Sequence, residues 1–203
     1  MVTSPLQLVH LNFISFEMTT NLNDLPKVKN VLVIVDHFTR YTRAYVTKDQ
    51  KVSTAAKILY KGFISIFGAP KRILMDQGKA FTSEMVEQLC SQFRISQSTI
   101  TAYHPQGNGQ VERAHQTLGK MIGKLDDEFK GQWPKHLSKL THAYNSIWSA
   151  VTSYLPHFLM FGQRPRLPID FVFPTHEVMG TLRPVDNYVA ELIFALRKAF
   201  EVA

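Results

Sequence analysis

Apolar residues fall into short runs at the start of the chain and into helical spacing later. Leu6, Val9, Leu11, Phe13, Ile14 and Phe16 give a mostly apolar segment with partial alternation, which predicts a buried strand over Gln7–Phe16. Asn, Asp and Pro residues between Thr19 and Lys29 predict a turn region. Val31–Val35 is an unbroken β-branched and leucine run, the mark of a central strand. Asp36–Arg40 then makes a tight connection to an alternating partner strand over Tyr41–Val46.

Ser53 or Thr54 is placed to cap a helix running to about Phe67, with Ala55, Ile58, Leu59, Gly62, Phe63 and Ile66 at helical spacing. Gly68 and Pro70 end it. Arg72–Met75 reads as a short strand, Thr82 opens a second helix, and Phe93–Ser98 reads as a fifth strand. Hairpins followed by crossovers predict an α/β fold, a mixed sheet with helices on both faces. Beyond the flexible His104–Gly109 run, one helix is expected over Gln110–Phe129 and a second with Pro134 in its first turn. Residues 169–184 read as loop, and Val185–Ala203 spaces its apolar residues for a last helix. The expected division is a core over residues 5–168 and a tail over 169–203.

Composition narrows the function classes only slightly. Apolar residues are 45% of the chain and charged residues 19%, which argues against a disordered chain. Lys and Arg number 23 against 16 Asp and Glu, a net charge of +7 that permits contact with a polyanion without establishing it. The single cysteine, Cys90, excludes an intrachain disulfide and a cysteine-based metal site, and its apolar neighbours predict a buried thiol. No apolar run is long enough for a membrane span, and Met1–Pro5 has no signal-peptide character. The expected location is therefore the nucleus or the cytoplasm. Nothing in the sequence points to a small-molecule substrate.

Asp76 and Glu112 carry the strongest hint of chemistry. Asp76 follows a short apolar strand, and strand ends are where ligands collect in open sheets. Glu112 lies in the first turn of a helix after a glycine-bearing loop. Hard divalent cations take carboxylate oxygens, and paired ions serve phosphoryl chemistry. Spacing alone leaves the ordinary alternative open, a turn hydrogen bond for Asp76 and a solvated first-turn acid for Glu112.

The local sequences around these acids sharpen the choice. Asp76-Gln-Gly-Lys-Ala-Phe-Thr82 resembles the segment around the second catalytic Asp of retroviral and gypsy-type retrotransposon integrases. Thr101–Arg113 is similar to the segment that holds their catalytic Glu, and 35 residues separate Asp76 from Glu112. Val33–Tyr41, Tyr144–Asn145 and Phe161–Pro165 resemble further stretches of the same catalytic core, so the likeness spans roughly residues 5–168. It implies an RNase H-like fold, a central five-stranded mixed sheet flanked by helices. It also implies a polynucleotidyl transferase in which three carboxylates bind Mg²⁺ or Mn²⁺, DNA 3′ ends are trimmed with water, and the new 3′ hydroxyls attack target DNA. The protein would be derived from a retrotransposon, act on DNA and pair with a second copy through its outer helices, with Trp133, Trp148 and Tyr144 as candidate contacts, each equally placed to be core.

The chain departs from that pattern at the first acid. His10-Leu-Asn-Phe13 stands where the resemblance implies His-Leu-Asp-Phe, so Asn12 occupies the first acidic position. Asn keeps one carbonyl oxygen but loses the charge and the second metal oxygen. Strand transfer is therefore expected to be lost, with Mg²⁺ or Mn²⁺ bound weakly or not at all; a residual Mg²⁺- or Mn²⁺-dependent strand transferase or nuclease and a non-catalytic dimerising scaffold are the alternatives. Asp36, Asp24 and Glu17 are near in sequence, but nothing in their spacing makes them substitutes. The expected nucleic-acid contacts are Lys79, Gln106, Asn108, Gln110, Arg113, Gln116 and Lys120, several at three- and four-residue steps on one helix side, where a plain solvated face is the alternative. No zinc site is expected, because His104 and His115 lack cysteine partners. The two-His, two-Cys unit that precedes the core in full integrases is not among these residues.

Overall fold

A computed structural model describes residues 2–18, 27–75, 84–99, 109–168, 170 and 185–202. Its centre is a five-stranded sheet. The strands are β1 (Leu8–Met18), β2 (Lys27–Asp36), β3 (Thr42–Thr47), β4 (Arg72–Met75) and β5 (Ser96–Thr99), arranged β3-β2-β1-β4-β5. β1–β2 and β2–β3 pair antiparallel, whereas β1–β4 and β4–β5 pair parallel. The mixed sheet expected from hairpins followed by crossovers is thus present.

The helices are α1 (Val52–Ile58), a π-helical stretch Leu59–Ile64, α2 (Ser65–Phe67), α3 (Glu84–Gln92), α4 (Gly109–Gly123), α5 (Asp127–Lys130), α6 (Trp133–Asn145), α7 (Pro156–Phe161) and α8 (Val185–Val202). They divide the core into two layers. Leu32 and Ile34 of β2, with Val9 and Leu11 of β1, pack against Ala55, Leu59, Phe63, Val86 and Cys90. Val31, Val33 and Val35 face the other way, with Ile14, onto Val111, Ala114, Ile122, Trp133 and Leu137. A strand buried on both faces has no polar side to show, which is why Val31–Val35 is continuously apolar. The edge strand β5 reads Ser-Gln-Ser-Thr, and a polar edge discourages pairing with other chains.

Three local expectations are corrected. Neither Ser53 nor Thr54 caps α1: Lys51 holds the N-cap position, and the Thr54 hydroxyl donates to Asp49 Oδ1 at 2.7 Å. The helix also widens into a π turn, where the Tyr45 hydroxyl donates to the Gly62 carbonyl and a Cβ on Gly62 would lie 2.8 Å from the Tyr45 ring. The helix expected over Gln110–Phe129 stops at Gly123, and the extended backbone of Asp126 (φ −55°, ψ 149°) restarts it as α5. Finally, Trp133 is core, at 1% exposure, and is withdrawn as a surface contact.

α8 packs back onto α7 and the β2–β3 turn. Gly162 ends α7 in the left-handed region (φ +73°), and a Cβ there would meet Leu192 Cδ1 at 2.4 Å. Phe200 meets Phe38 edge-on at 5.0 Å, and Ala199 is buried.

Candidate active site and nucleic-acid interface

The centre of the candidate site is β1, which lies between β2 and β4. Side chains alternate along it. Val9 and Leu11 enter the α1–α3 layer, while Ile14 and Phe16 enter the α4–α6 layer. His10 and Asn12 share the parity of Ile14, so they point to the α4 side. Asn12 is half-buried and pairs with Val33 of β2. On the other flank, β4 ends at Met75, which pairs with Leu11, one residue short of Asn12.

α4 lies over β1 and β2. Val111, Ala114, Leu118 and Ile122 are its buried side. That choice turns Glu112, Arg113, Gln116 and Lys120 outward, and all of them are exposed. The helix carrying Glu112 is therefore brought onto the Asn12 face of β1. His115 is half-buried, with its ring 5.0 Å from Phe16. Asp76, Lys79, Gln106, Asn108 and His104 lie outside the described residues, as does the Gln110 side chain.

Asp36 is a structural acid. It is fully buried, its Oδ1 accepts from Leu6 N at 2.8 Å, and its Oδ2 accepts from Thr39 N and Thr39 Oγ1 at 2.8 Å each. Burial raises its pKa, against those hydrogen bonds. Oδ1 ties the segment before β1 to the end of β2, and Oδ2 holds the β2–β3 turn. A hard cation site needs charged oxygens. The described part of the donor set holds one carboxylate, Glu112, and one neutral amide, Asn12. Among the described residues no group of three or more His, Cys, Asp and Glu could hold a metal ion.

Two features escaped the sequence reading. His10, buried near the start of β1, pairs its Nε2 with His37 Nδ1 at 3.0 Å. Burial, then Arg40 and Arg72, pushes the His37 pKa down to about 4. Alternation along β1 could have put His10 beside the site, but His37 sits in a turn with no periodic signal. Arg40 is the second. It has a left-handed backbone (φ +65°) and a largely buried guanidinium whose Nε and Nη1 have no hydrogen-bond partner.

A five-stranded sheet in the order β3-β2-β1-β4-β5, with helices on both faces and an acid-bearing helix against the central strand, is the RNase H-like arrangement of retroviral integrase catalytic cores. The comparisons with known proteins agree. The integrase core domain model matches residues 3–105, and the chain belongs to that family. It is 28% identical over 186 residues to the retrovirus-related Pol polyprotein from transposon 412 of Drosophila melanogaster, covering 88% of this chain and 15% of that one. It is 37% identical over 139 residues to the Pro-Pol polyprotein of feline foamy virus, covering 68% of this chain and 12% of that one. The chain thus spans only a small part of these polyproteins. Among solved structures, the simian T-cell lymphotropic virus intasome, in complex with the PP2A regulatory subunit B56 gamma, superposes with a TM-score of 0.68 at 23% identity, over 82% of this chain and 58% of that chain. The HTLV-2 integrase catalytic core domain, in a trimeric form in complex with magnesium, gives 0.61 at 16% identity over 77% and 97%.

Proposed function

We propose that this chain is a nucleic-acid-binding integrase core in which strand transfer has been lost at Asn12. The observation that carries this reading is the place of Asn12, mid-strand in β1, on the face that α4 covers. Asp76 and Glu112 are the residues that would hold Mg²⁺ or Mn²⁺, with Asn12 adding one uncharged oxygen. Such an ion, when bound, supplies charge stabilisation at phosphorus. Replacing a carboxylate by an amide removes one negative charge from a site built to hold divalent cations, so metal affinity and activity fall together.

The nucleic-acid face of the proposal comprises Arg113, Gln116 and Lys120 on the open side of α4, with Lys79, Gln106, Asn108 and Gln110. Their cations and amides suit phosphate oxygens and base edges. The work of such a protein belongs in the nucleus. A second copy of the chain is the proposed protein partner, in keeping with the dimeric and trimeric forms in which the HTLV-2 core has been solved.

Strand transfer tests the catalytic half. With a DNA end, target DNA and Mn²⁺, the protein is expected to give no joined product, while Asn12→Asp is expected to raise joining by on the order of 10²-fold or more. Robust joining by the unaltered chain would sink the proposal and establish a residual transferase.

A further inference from the structure

The two edges of the sheet differ. β5 is polar along its length, whereas β3 reads Thr-Arg-Ala-Tyr-Val-Thr, a good strand former with Val46 exposed. Asn145 closes the start of the β3 edge by taking both backbone groups of Thr42 at 2.8 Å each. Those groups point away from β2, and alternate residues of an antiparallel pair turn their N–H and C=O to the same side. Ala44 and Val46 therefore turn theirs outward as well. Among the described residues no hydrogen bond reaches either of them from that side. An open row of donors and acceptors is a template for another strand.

Cavities border this edge on both faces of the sheet. One, of about 670 Å³, lies between β3 and the α1 and π-helical layer, where Val46, Lys48, Lys57 and Lys61 line it. The other, of about 150 Å³, lies between Arg43 and Ala44 of β3 and Ser138 and His142 of α6. The Arg43 guanidinium is set in place by Tyr45: its Nε donates to Tyr45 Oη at 3.1 Å, and its carbon is 5.4 Å from the centre of the Tyr45 ring. Arg43, Lys48, Lys57 and Lys61 thus stand along the edge against one lining acid, Asp49. Asp49 Oδ1 already accepts from Thr54 Oγ1 at 2.7 Å and from Lys51 N at 3.1 Å.

We propose that the open edge of β3 is a docking site for an extended, acidic peptide of another protein, which adds a strand to the sheet at Ala44–Val46. Its backbone supplies both the acceptors and the donors that the outward N–H and C=O groups need. A DNA backbone offers acceptors but no donor for the carbonyls. A second copy paired edge to edge would bring Arg43 and Lys48 against the same cations, an unfavourable match. Parity along β3 sets the peptide's pattern. Tyr45 belongs to the α1 layer and Ala44 to the α6 layer. Alternate residues of the added strand therefore face the lysines, where Asp or Glu fits, and the rest lie beside Ala44 and Val46, where a small apolar side chain fits.

The test is fluorescence anisotropy of a labelled peptide of alternating Glu and Val, roughly eight residues long, against the purified chain at fixed ionic strength. A peptide of the same composition with its Glu and Val in two blocks is the control. Two further versions carry N-methyl groups on the Val nitrogens or on the Glu nitrogens, since only one of these sets turns its N–H to β3. The protein variants are Val46→Pro, which removes an outward N–H and no ladder bond, and Lys57→Glu with Lys61→Glu. Arg197→Glu with Lys198→Glu, on the exposed side of α8, is the charge-matched control. The alternating peptide is expected to bind saturably in the micromolar range. Binding is expected to fall about tenfold or more in Val46→Pro, in the Lys57 and Lys61 double variant, and with one methylated peptide but not the other. Equal binding of the alternating and blocked peptides would overturn the proposal, as would equal effects of the two methylation sets. These peptide arms decide the matter where Val46→Pro does not fold; in folded Val46→Pro, unchanged binding also overturns it. No saturable peptide binding, with DNA binding reduced by the lysine reversal instead, gives the cations to nucleic acid and overturns it too. A dimer that Val46→Pro converts to monomer in sedimentation gives the edge to a second copy, with the same consequence.

Discussion

His37 shows how one turn residue can tie stability to pH. Its Nδ1 is 3.0 Å from His10 Nε2, and burial together with Arg40 and Arg72 pushes its pKa down to about 4 from an ordinary 6.5. Below 6.5 the unfolded chain takes up a proton that the native chain refuses. The native state therefore loses stability as the pH falls through the window from 6.5 to about 4. His157, lowered mainly by burial, adds in the same direction. Asp36 acts with the opposite sign: its pKa is raised, so the native chain keeps a proton that the unfolded chain releases as pH rises past 3.8. The urea midpoint is expected to drop between pH 7 and pH 5, and His37→Asn is expected to flatten that drop. Equal pH slopes for the two proteins would refute this role. At this scale the sequence was legible where a local motif applies. Asn12 was put on the first strand by its local motif, and it lies on β1. Arg40 was not foreseen, because the positive φ and buried guanidinium come from a turn whose letters resemble any polar connection. Asp36 was set aside as a metal ligand on spacing, and the physical reason is now visible in its three hydrogen bonds to Leu6 and Thr39.

Among elements, the joint between β3 and α6 is the most informative. β3 is an edge strand, and Asn145 at the end of α6 satisfies both backbone groups of Thr42 through its amide. Asn145 is buried, so nothing else would replace these bonds. Asn145→Ala strands one N–H and one carbonyl away from water, a loss of about 2–4 kcal/mol. Chemical denaturation of the variant measures it directly, and a loss under about 0.5 kcal/mol would show that water enters and compensates. Tyr144–Asn145 stood out in the sequence only as part of a resemblance, since a clamp across 103 residues leaves no local pattern. Strands were read more closely than helix details for a related reason. Arg72–Met75 and the Val31–Val35 core of β2 are fixed by local apolar runs. The start of α1 was decided by competition, because Asp49 draws the Thr54 hydroxyl away from a cap. The break after Gly123 comes where Asp126 takes an extended backbone, whereas Gly119 within α4 leaves the helix intact, so the glycines alone did not mark it.

At the scale of the whole molecule, the element order was readable but the strand order was not, since each crossover could have landed on either side of β1. What the sequence left open most was the outer surface. Trp133 proved to be core and Tyr144 half-buried, whereas Trp148 is 63% exposed. Ile147 and Val151 beside it are also exposed, at 56% and 53%. Trp148 stacks on Tyr154 at 6.1 Å, and Tyr154 stacks on Phe158 at 5.9 Å. Stacking on neighbours restricts the Trp148 ring, so less side-chain entropy remains to be lost on association. Large aromatics held in this way are the residues that anchor interfaces. If the second copy proposed above docks here, Trp148→Glu puts a charge at the centre of the contact while leaving the interior untouched. Sedimentation velocity at micromolar concentration is expected to show a dimer for the unaltered chain and a monomer for Trp148→Glu, with equal unfolding temperatures measured at a dilution where both are monomeric. A dimer that survives the substitution would move the interface to another face, and a chain that stays monomeric throughout would remove the second copy as a partner.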